Sequence, residues 1–180
     1  NNKKIPFSED DNVDFPISPY AATKKSCELL AHTYHHLFGM DVTCLRFFTV
    51  YGPRQRPDLA IHKFGRLMLQ GQPITVFGDG STSRDYTFID DVIAGVIAAI
   101  DRCHGYRIYN LGSAQPIRLD RLIASLEDIL GVKAKLLRQP DQPGDVPVTF
   151  ADIGRARLEL AYEPKTCIDD GLRHFARWLV

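Results

Sequence analysis

The chain has 180 residues, of which 44% are hydrophobic and 24% are charged. This is an ordinary globular composition, sufficient for the core of one domain or slightly more. Basic and acidic residues number 22 each, so no global field favours nucleic acid or a membrane surface as a partner. No apolar run has the length that a bilayer span needs.

The predicted elements alternate between helices and strands, which indicates the α/β class. Residues 1–18 form a polar, proline-containing loop that starts without methionine, so we expect the chain to be a fragment or an excised domain. Hydrophobic periodicity and turn residues then predict helices over 19–38, 59–69, 90–101, 119–130, 153–160 and 168–179, and strands over 41–48, 73–77, 86–89, 107–112 and 133–137. Asp90 is the expected N-cap of its helix, and the loops over 78–85 and 139–147 are rich in turn residues.

The four cysteines lie far apart and form no C-x-x-C pair. Three of them fall in apolar or helical runs. We therefore expect buried free thiols in a reducing compartment, and a cytoplasmic location. The residues are Cys27, Cys44, Cys103 and Cys167.

A tyrosine and a lysine stand four residues apart at the start of the first predicted helix. Ser18 is a good N-cap and Pro19 fits the first helical position, so Tyr20 and Lys24 should project from one face, about a turn apart. An ammonium near a phenol favours the phenolate, which suits a general base acting on a sugar or alcohol hydroxyl. An incidental pair on an exposed helix would have the same spacing, so the pair alone decides nothing.

Three arginines follow predicted strands, where α/β sheets place ligands. Arg54 and Arg56 come after the strand that ends at Phe48, and Arg84 follows a glycine-containing loop. Arginine can bind phosphate or carboxylate through two parallel hydrogen bonds. Each of them alone is also compatible with a solvated surface arginine.

Neither a metal site nor a dinucleotide fingerprint is visible in the sequence. His32, His35 and His36 have helical spacing, but no carboxylate or cysteine completes a ligand set, and we predict no metal. A tyrosine base of this type normally works beside a nicotinamide, yet no G-x-G-x-x-G follows a strand. The residues thus suggest proton transfer by a tyrosine base, but the sequence lacks the motif that would bind the nicotinamide cofactor.

Several short motifs, taken in order, resemble the extended short-chain dehydrogenase/reductase family, in its NAD-dependent nucleotide-sugar epimerase/dehydratase branch. The resemblance extends from about residue 5 to residue 162. The motifs are Pro6-Phe7-Ser8-Glu9, Ser18-Pro19-Tyr20-x-x-x-Lys24, the run from Leu45 to Pro53, Val76 to Gly80, Arg84-Asp85-Tyr86, Asn110-Leu111-Gly112 and Pro143 to Val146. Within this branch, the residues around Tyr20 and the run over 45–64 are most similar to UDP-glucuronate 4-epimerases.

The resemblance implies a partial Rossmann-like fold with a small α/β nucleotide-sugar-binding domain. Residues 1–58 would be the last segments of the Rossmann domain, and 59–180 mainly the substrate domain, with about 86–112 returning to the Rossmann part. The NAD-binding glycine loop would lie upstream, so the cofactor site would be incomplete and the isolated chain inactive. A UDP-sugar is the implied substrate, and a homodimer is a possible assembly.

The resemblance also implies residue roles. Tyr20 would be the base, and Lys24 would favour its phenolate and bind the nicotinamide ribose. The residues from Phe47 to Val50 would line the nicotinamide and the sugar. The remaining implied contacts are to the substrate: Thr49 and Arg56 to the glucuronate carboxylate, Ala60, Ile61, Val76 and Phe77 beside the uridine, Arg84 to the diphosphate and Asp145 to the nucleotide ribose.

Position 142 departs from the pattern of UDP-galactose epimerases, which often have an arginine there to assist Arg84 at the diphosphate. Gln142 weakens that assignment more than the glucuronate one. A 4,6-dehydratase or decarboxylase of the same branch, a UDP-glucose 4-epimerase and a non-catalytic nucleotide-binding or assembly module are the alternatives. The acid/base pair of a dehydratase or decarboxylase would lie upstream. The intact Tyr20 and Lys24 argue against the non-catalytic module.

Overall fold

A computed structural model describes residues 4–141 and 146–180. These residues form six helices and seven strands, which confirms the mixed α/β class. In chain order they are α1 (Pro19–Phe38), β1 (Val42–Phe47), β2 (Thr49–Tyr51), α2 (Ala60–Leu69), β3 (Pro73–Phe77), β4 (Ser83–Phe88), α3 (Ile89–Asp101), β5 (Tyr106–Leu111), β6 (Pro116–Arg118), α4 (Leu119–Leu130), β7 (Lys135–Gln139), α5 (Gly154–Leu160) and α6 (Ile168–Leu179).

The first helix has the bounds and caps that its sequence predicts. The Ser18 hydroxyl accepts a hydrogen bond from the Ala21 amide at 3.1 Å, and Pro19 occupies the first turn. The helix ends at Gly39, whose φ of 65° lies in the left-handed region that favours glycine. These local signals fix where Tyr20 and Lys24 lie.

The described strands form three small sheets. Strands β1 and β5 are parallel, in a register that runs from Val42 opposite Tyr106 to Phe47 opposite Leu111. Strand β4 is parallel to β2 and antiparallel to β6, and β3 is parallel to β7. Parallel strands need crossover connections. Helix α3 belongs to the connection from β1 to β5, and it contacts β1, β2 and β4.

Two separate groups of buried side chains form the core. The first lies between β2, β3, β4 and helices α2, α4 and α6, and the second between β5, α3 and α5. Fully buried members of the first include Tyr51, Ile61, Leu122, Leu126, Leu172 and Phe175; the second contains Tyr109, Leu111, Ile153, Leu160 and Tyr162. Burial of these aliphatic and aromatic side chains supplies most of the folding free energy.

Some predicted boundaries are wrong by a few residues. Helix α3 begins at Ile89, so its N-cap is Phe88 and not Asp90. Asp90 and Asp91 lie in the first turn, where carboxylates are stabilised by the helix dipole. The predicted loop over 78–85 ends earlier because Ser83 already belongs to β4, which pairs with a strand, β6, that sequence patterning missed.

The apolar face of α1 and the cysteines are more exposed than expected. The structure buries no residue of α1, and Leu29, Leu30 and Leu37 are each more than half exposed. Of the cysteines, Cys44 is partly buried and the other three are exposed, so the prediction of buried thiols is wrong. All four are unpaired. Burial raises the pKa of the Cys44 thiol.

No helix in the described ranges is both long enough and apolar enough to cross a membrane. Within the same ranges, His, Cys, Asp and Glu side chains do not gather in groups of three or more that could hold a metal ion.

Candidate functional site

A cavity of about 790 Å³ lies where the start of α1 meets the ends of β1 and the N-terminal segment. Three stretches supply most of its lining: residues 7–17, the first three turns of α1, and residues 46–49. Asn110 of β5, Val146 and Thr149 complete the lining. A volume of this size is within the usual range for small-molecule and cofactor sites.

Backbone pairing holds the N-terminal segment against the cavity. The Phe7 amide donates to the Phe150 carbonyl at 2.7 Å, and the Asp152 amide donates to the Phe7 carbonyl at 2.9 Å. The Asn110 side chain adds hydrogen bonds to the carbonyls of Phe7 and Asp152, at 2.9 and 3.1 Å. One wall of the cavity is thus built by residues more than one hundred positions apart in sequence.

Tyr20 and Lys24 share one face of α1, as their spacing predicts, and both line the cavity. The Lys24 Nζ lies 5.4 Å from the centroid of the Tyr20 ring, within the range of a cation–π contact. Tyr20 is 71% exposed. The phenol is therefore accessible to a ligand, with a positive charge held beside it.

Two further predicted residues join this pair. Phe47, at the end of β1, and Thr49, at the start of β2, also line the cavity. Phe47 is half-exposed, so its ring offers an apolar surface to a bound molecule. Val50 does not line the cavity; its carbonyl accepts a hydrogen bond from Gln55 Nε2 at 2.9 Å.

The two arginines predicted to bind the substrate lie outside this cavity. Arg56 is exposed and pairs with Asp58 at 2.9 Å. Arg84 is partly buried on β4, and its Nη1 donates to the Ser83 carbonyl at 2.9 Å. The structure therefore places neither guanidinium group in the cavity beside Tyr20.

The residues predicted beside the uridine fall into two groups by burial. Ile61 and Val76 are buried in the first core group, at 0% and 1% exposure, so the structure offers no exposed surface of either residue to a ligand. Ala60 is partly buried and Phe77 is exposed. Gln142 and Asp145 lie outside the described residues.

Sequence reasoning missed an ion pair that lines the cavity. Arg46 of β1 donates through Nε to Glu28 Oε1 at 2.7 Å and through Nη2 to Glu28 Oε2 at 2.9 Å. The hydrogen bonds to Glu28 raise the pKa of the Arg46 guanidinium further above its usual range. Two signals could have found the pair: an arginine inside an apolar strand, and a glutamate four residues after Lys24.

A second missed residue is Asp85, whose carboxylate is fully buried. Its Oδ1 accepts hydrogen bonds from the amide and hydroxyl of Ser113, each at 2.7 Å. Its Oδ2 accepts from the amides of Ala114 and Ala151, at 3.1 and 3.0 Å. Asp85 thus joins β4, next to Arg84, to the loop after β5 and to the segment that pairs with Phe7.

Residues 1–112 match the NAD dependent epimerase/dehydratase family. The match covers more than half of the chain, and the chain belongs to this family. The tyrosine, the lysine and the residues from Phe47 to Thr49 all fall inside the matched region.

Comparison with individual proteins gives the same class. The chain is 48% identical over 179 residues to the uncharacterised protein MJ1055 of Methanocaldococcus jannaschii, covering 99% of this chain and 55% of that protein. It is 47% identical over 174 residues to a UDP-glucuronate 4-epimerase of Thermodesulfobacterium geofontis, covering 96% and 54%. The chain thus spans about half the length of the curated relatives it matches.

The fold is similar to that of a UDP-glucuronic acid 4-epimerase from Bacillus cereus, solved in complex with UDP-glucuronic acid and NAD. The TM-score is 0.92 at 39% identity, over 99% of this chain and 57% of the other. The arrangement of helices and strands described above is therefore the Rossmann-like arrangement of an epimerase.

Proposed function

We propose that this chain carries the proton-transfer and sugar-binding part of an NAD-dependent nucleotide-sugar 4-epimerase, which interconverts UDP-glucuronate and UDP-galacturonate. One observation carries the proposal: the Lys24 ammonium lies 5.4 Å from the Tyr20 ring centroid, at a cavity that Phe47 and Thr49 also line. Membership of the family and the similarity to UDP-glucuronate 4-epimerases support it.

The residues present fit the nicotinamide end of NAD. Lys24 offers an ammonium for the ribose hydroxyls, and Phe47 offers an apolar face for a flat ring. Val50 belongs to the same stretch, although its side chain is not part of the cavity. When bound, NAD would accept a hydride from the sugar C4 and later return it to the opposite face of the same sugar carbon.

The protein's own task is to move one proton. The Tyr20 phenolate takes the proton from the sugar 4-hydroxyl as the C4–O bond becomes a carbonyl, and returns it when the carbonyl is reduced. The Lys24 ammonium stabilises the phenolate through its positive charge. Thr49 lines the same cavity, and its hydroxyl can donate a hydrogen bond to the sugar or to the glucuronate carboxylate.

The remaining substrate contacts rest on the family resemblance. Arg84 would neutralise the diphosphate and Arg56 the glucuronate carboxylate, which a neutral sugar lacks. Arg56 would have to exchange Asp58 for the substrate, a small cost for an exposed pair. The proposed nucleotide site is completed by Ala60, Ile61, Val76, Phe77, Gln142 and Asp145.

We divide the chain as the resemblance implies: Rossmann segments over 1–58 and about 86–112, and mainly a substrate domain in the rest. The two separate core groups support this division in part. Elements β5 and α3 lie in one group and α2, β3 and α4 in the other, whereas β2 packs with the latter group and α5 with the former. The four unpaired cysteines suit a reducing compartment such as the cytoplasm.

Calorimetric titration of the 180-residue chain tests ligand recognition directly. We expect heat on addition of UDP, and tighter binding of UDP-glucuronate than of UDP-glucose. Arg84→Ala should weaken all three ligands, whereas Arg56→Ala should abolish only the preference for glucuronate. The exposed Arg157 on α5 gives the matched control, Arg157→Ala, which should bind like wild type.

Two results of the titration would count against the proposal. Absence of heat with every UDP compound would favour a non-catalytic scaffold. Equal affinity for UDP-glucuronate and UDP-glucose, unaffected by Arg56→Ala, would favour a UDP-glucose 4-epimerase.

Turnover would require the NAD-binding glycine loop that the resemblance implies, and no G-x-G-x-x-G follows a strand in this sequence, so we expect the 180 residues alone to be inactive. A fusion protein supplies it: the part of the Thermodesulfobacterium geofontis relative outside the matched region, joined ahead of Asn1. Incubation with UDP-glucuronate and NAD, followed by NMR of the sugar anomeric protons, should show UDP-galacturonate. A 4-keto-6-deoxy product would instead support the dehydratase alternative.

We also propose that α1 forms part of a homodimer interface. Its exposed apolar side chains support this assignment, because large apolar patches on a helix usually mark contact surfaces. The residues are Leu29, Leu30, Leu37 and Phe38, between 57% and 66% exposed. Size exclusion with light scattering should give a dimer that Leu30→Glu and Leu37→Glu dissociate; a monomer at every concentration would contradict it.

A further inference from the structure

Three charged or polar side chains follow one another along the cavity face of α1. Tyr20, Lys24 and Glu28 stand at positions i, i+4 and i+8, so they span about 12 Å along the helix axis. Opposite charges four residues apart on a helix attract each other. Lys24 therefore has two possible partners, the Tyr20 ring on one side and the Glu28 carboxylate on the other.

The structure shows which partner Lys24 takes. Its ammonium lies over the Tyr20 ring, and among the described residues it makes no ion pair within 4.0 Å. Both oxygens of Glu28 instead accept hydrogen bonds from Arg46, at 2.7 and 2.9 Å. The Glu28 and Arg46 side chains are only 13% and 22% exposed, so water screens this pair weakly.

We propose that Arg46 is a positioning residue for the tyrosine–lysine pair. By occupying both oxygens of Glu28, it prevents that carboxylate from drawing the Lys24 ammonium one turn down the helix, away from Tyr20. Two parallel N–H···O bonds in a fork suit this task, because they hold both carboxylate oxygens toward Arg46. The link to proton transfer rests on the proposed function; the position of Lys24 does not.

The alternative is that the ion pair only attaches α1 to β1. Other contacts already do this at the same point of the helix. The Tyr106 hydroxyl of β5 donates to the Glu28 backbone carbonyl at 3.0 Å, and the His32 ring meets the Tyr106 ring edge-on, with centroids 5.1 Å apart. Neither contact uses the Glu28 carboxylate, so α1 keeps an attachment when the ion pair is removed.

Two substitutions that break the same ion pair therefore have opposite expected outcomes. Arg46→Met frees the Glu28 carboxylate, which then competes for Lys24. Glu28→Gln removes the competing charge, so Lys24 stays over Tyr20. An ion pair that served attachment alone would give the same outcome for both variants.

NMR of the 180-residue chain measures this position without any assay of activity. With labelled lysine and tyrosine, the wild type should show nuclear Overhauser effects between the Lys24 ε-protons and the Tyr20 ring. Arg46→Met should lose about half or more of their intensity, as expected for a competing ion pair at this spacing. Glu28→Gln, the double variant Glu28→Gln/Arg46→Met and Arg46→Lys should all keep it.

Lys25 provides the control. Its Nζ lies 3.9 Å from Glu28 Oε2, so it is a second lysine of α1 that could pair with this carboxylate. Lys25→Met should leave the effects unchanged, since Arg46 still holds the carboxylate. The proposal is overturned if Arg46→Met, shown folded by its amide spectrum, keeps the wild-type intensity. It is equally overturned if Glu28→Gln loses intensity, or if the double variant does not regain it.

The outcome separates this inference from the proposed function. An altered Lys24 position in Arg46→Met, together with a fusion protein that does not act on nucleotide sugars, would uphold the positioning role and refute the epimerase. The reverse pattern would uphold the epimerase and refute the role of Arg46.

Discussion

Replacement of the buried Asp85 by asparagine should be strongly destabilising, although it changes only one oxygen into an NH₂ group. The carboxylate accepts five hydrogen bonds of 2.7 to 3.4 Å, three at Oδ1 and two at Oδ2. Asparagine can orient its one carbonyl oxygen toward either set of donors. At least two donors then face an NH₂ group and lose their acceptor in the interior.

Each buried donor left without an acceptor costs about 1–3 kcal/mol, so two of them give about 4 kcal/mol. Urea unfolding followed by circular dichroism measures this loss, provided that the slope m is unchanged. The exposed Asp128 of α4 is the matched control, and Asp128→Asn should change the free energy of unfolding by less than about 0.5 kcal/mol. A loss below about 1 kcal/mol for Asp85→Asn would refute the reasoning.

Three further predictions concern the helices and the tyrosines. Ser18→Ala removes the N-cap of α1 and should cost about 1 kcal/mol, with faster amide exchange at Ala21 and Ala22; unchanged exchange would contradict it. Gly171→Ala places a methyl group against the Tyr51 hydroxyl and the Phe88 ring, and should lower the free energy of unfolding by about 1–3 kcal/mol; a stability equal to wild type would show that this contact relaxes freely. Burial raises the pKa of Tyr106 to about 12, from an ordinary value of 10. The unfolded chain therefore releases this proton first, so the urea midpoint should fall as the pH rises from 10 to 12. Tyr106→Phe should reduce that fall, and an equally steep fall in the variant would contradict the assignment.

The sequence was most informative where the relevant interactions are local. The N-cap Ser18, Pro19 and Gly39 determine α1, and the i, i+4 spacing determines that Tyr20 and Lys24 share a face. Similarly, β3 has the bounds that its β-branched residues predict. By contrast, the Asp90 cap was wrong by two residues, because an aspartate in the first turn and one at the N-cap look alike in sequence.

The contacts that complete the site depend on distant pairings. The sheet of β1 and β5 joins residues 64 positions apart, and it brings Arg46 and Asn110 to the cavity. The ion pair with Glu28 follows from that pairing and from the docking of α1, neither of which has a local signature. Strand β6 has only three residues and starts with a proline, so it shows no alternation. Asp85 similarly reads as part of a turn until Ser113 and Ala151 are seen to donate to it.

The two arginines, Arg56 and Arg84, show where residue type alone misleads. Their type suggests a ligand, but the described structure places them apart from the cavity. Arg56 is exposed at a loop with its own carboxylate partner. Its proposed role requires the substrate to compete with Asp58, and the sequence pattern alone does not predict this ion pair.

The central claim is that Tyr20 is the base of a nucleotide-sugar epimerase, and the turnover of the fusion protein tests it most directly. With UDP-glucuronate and NAD, Tyr20→Phe should lower kcat by about 100-fold or more, the loss typical for a removed general base. Tyr109→Phe, which removes a hydroxyl bound to Glu159 at 2.7 Å on β5, should keep the parental rate. Formation of UDP-galacturonate by Tyr20→Phe at the parental rate would contradict the account.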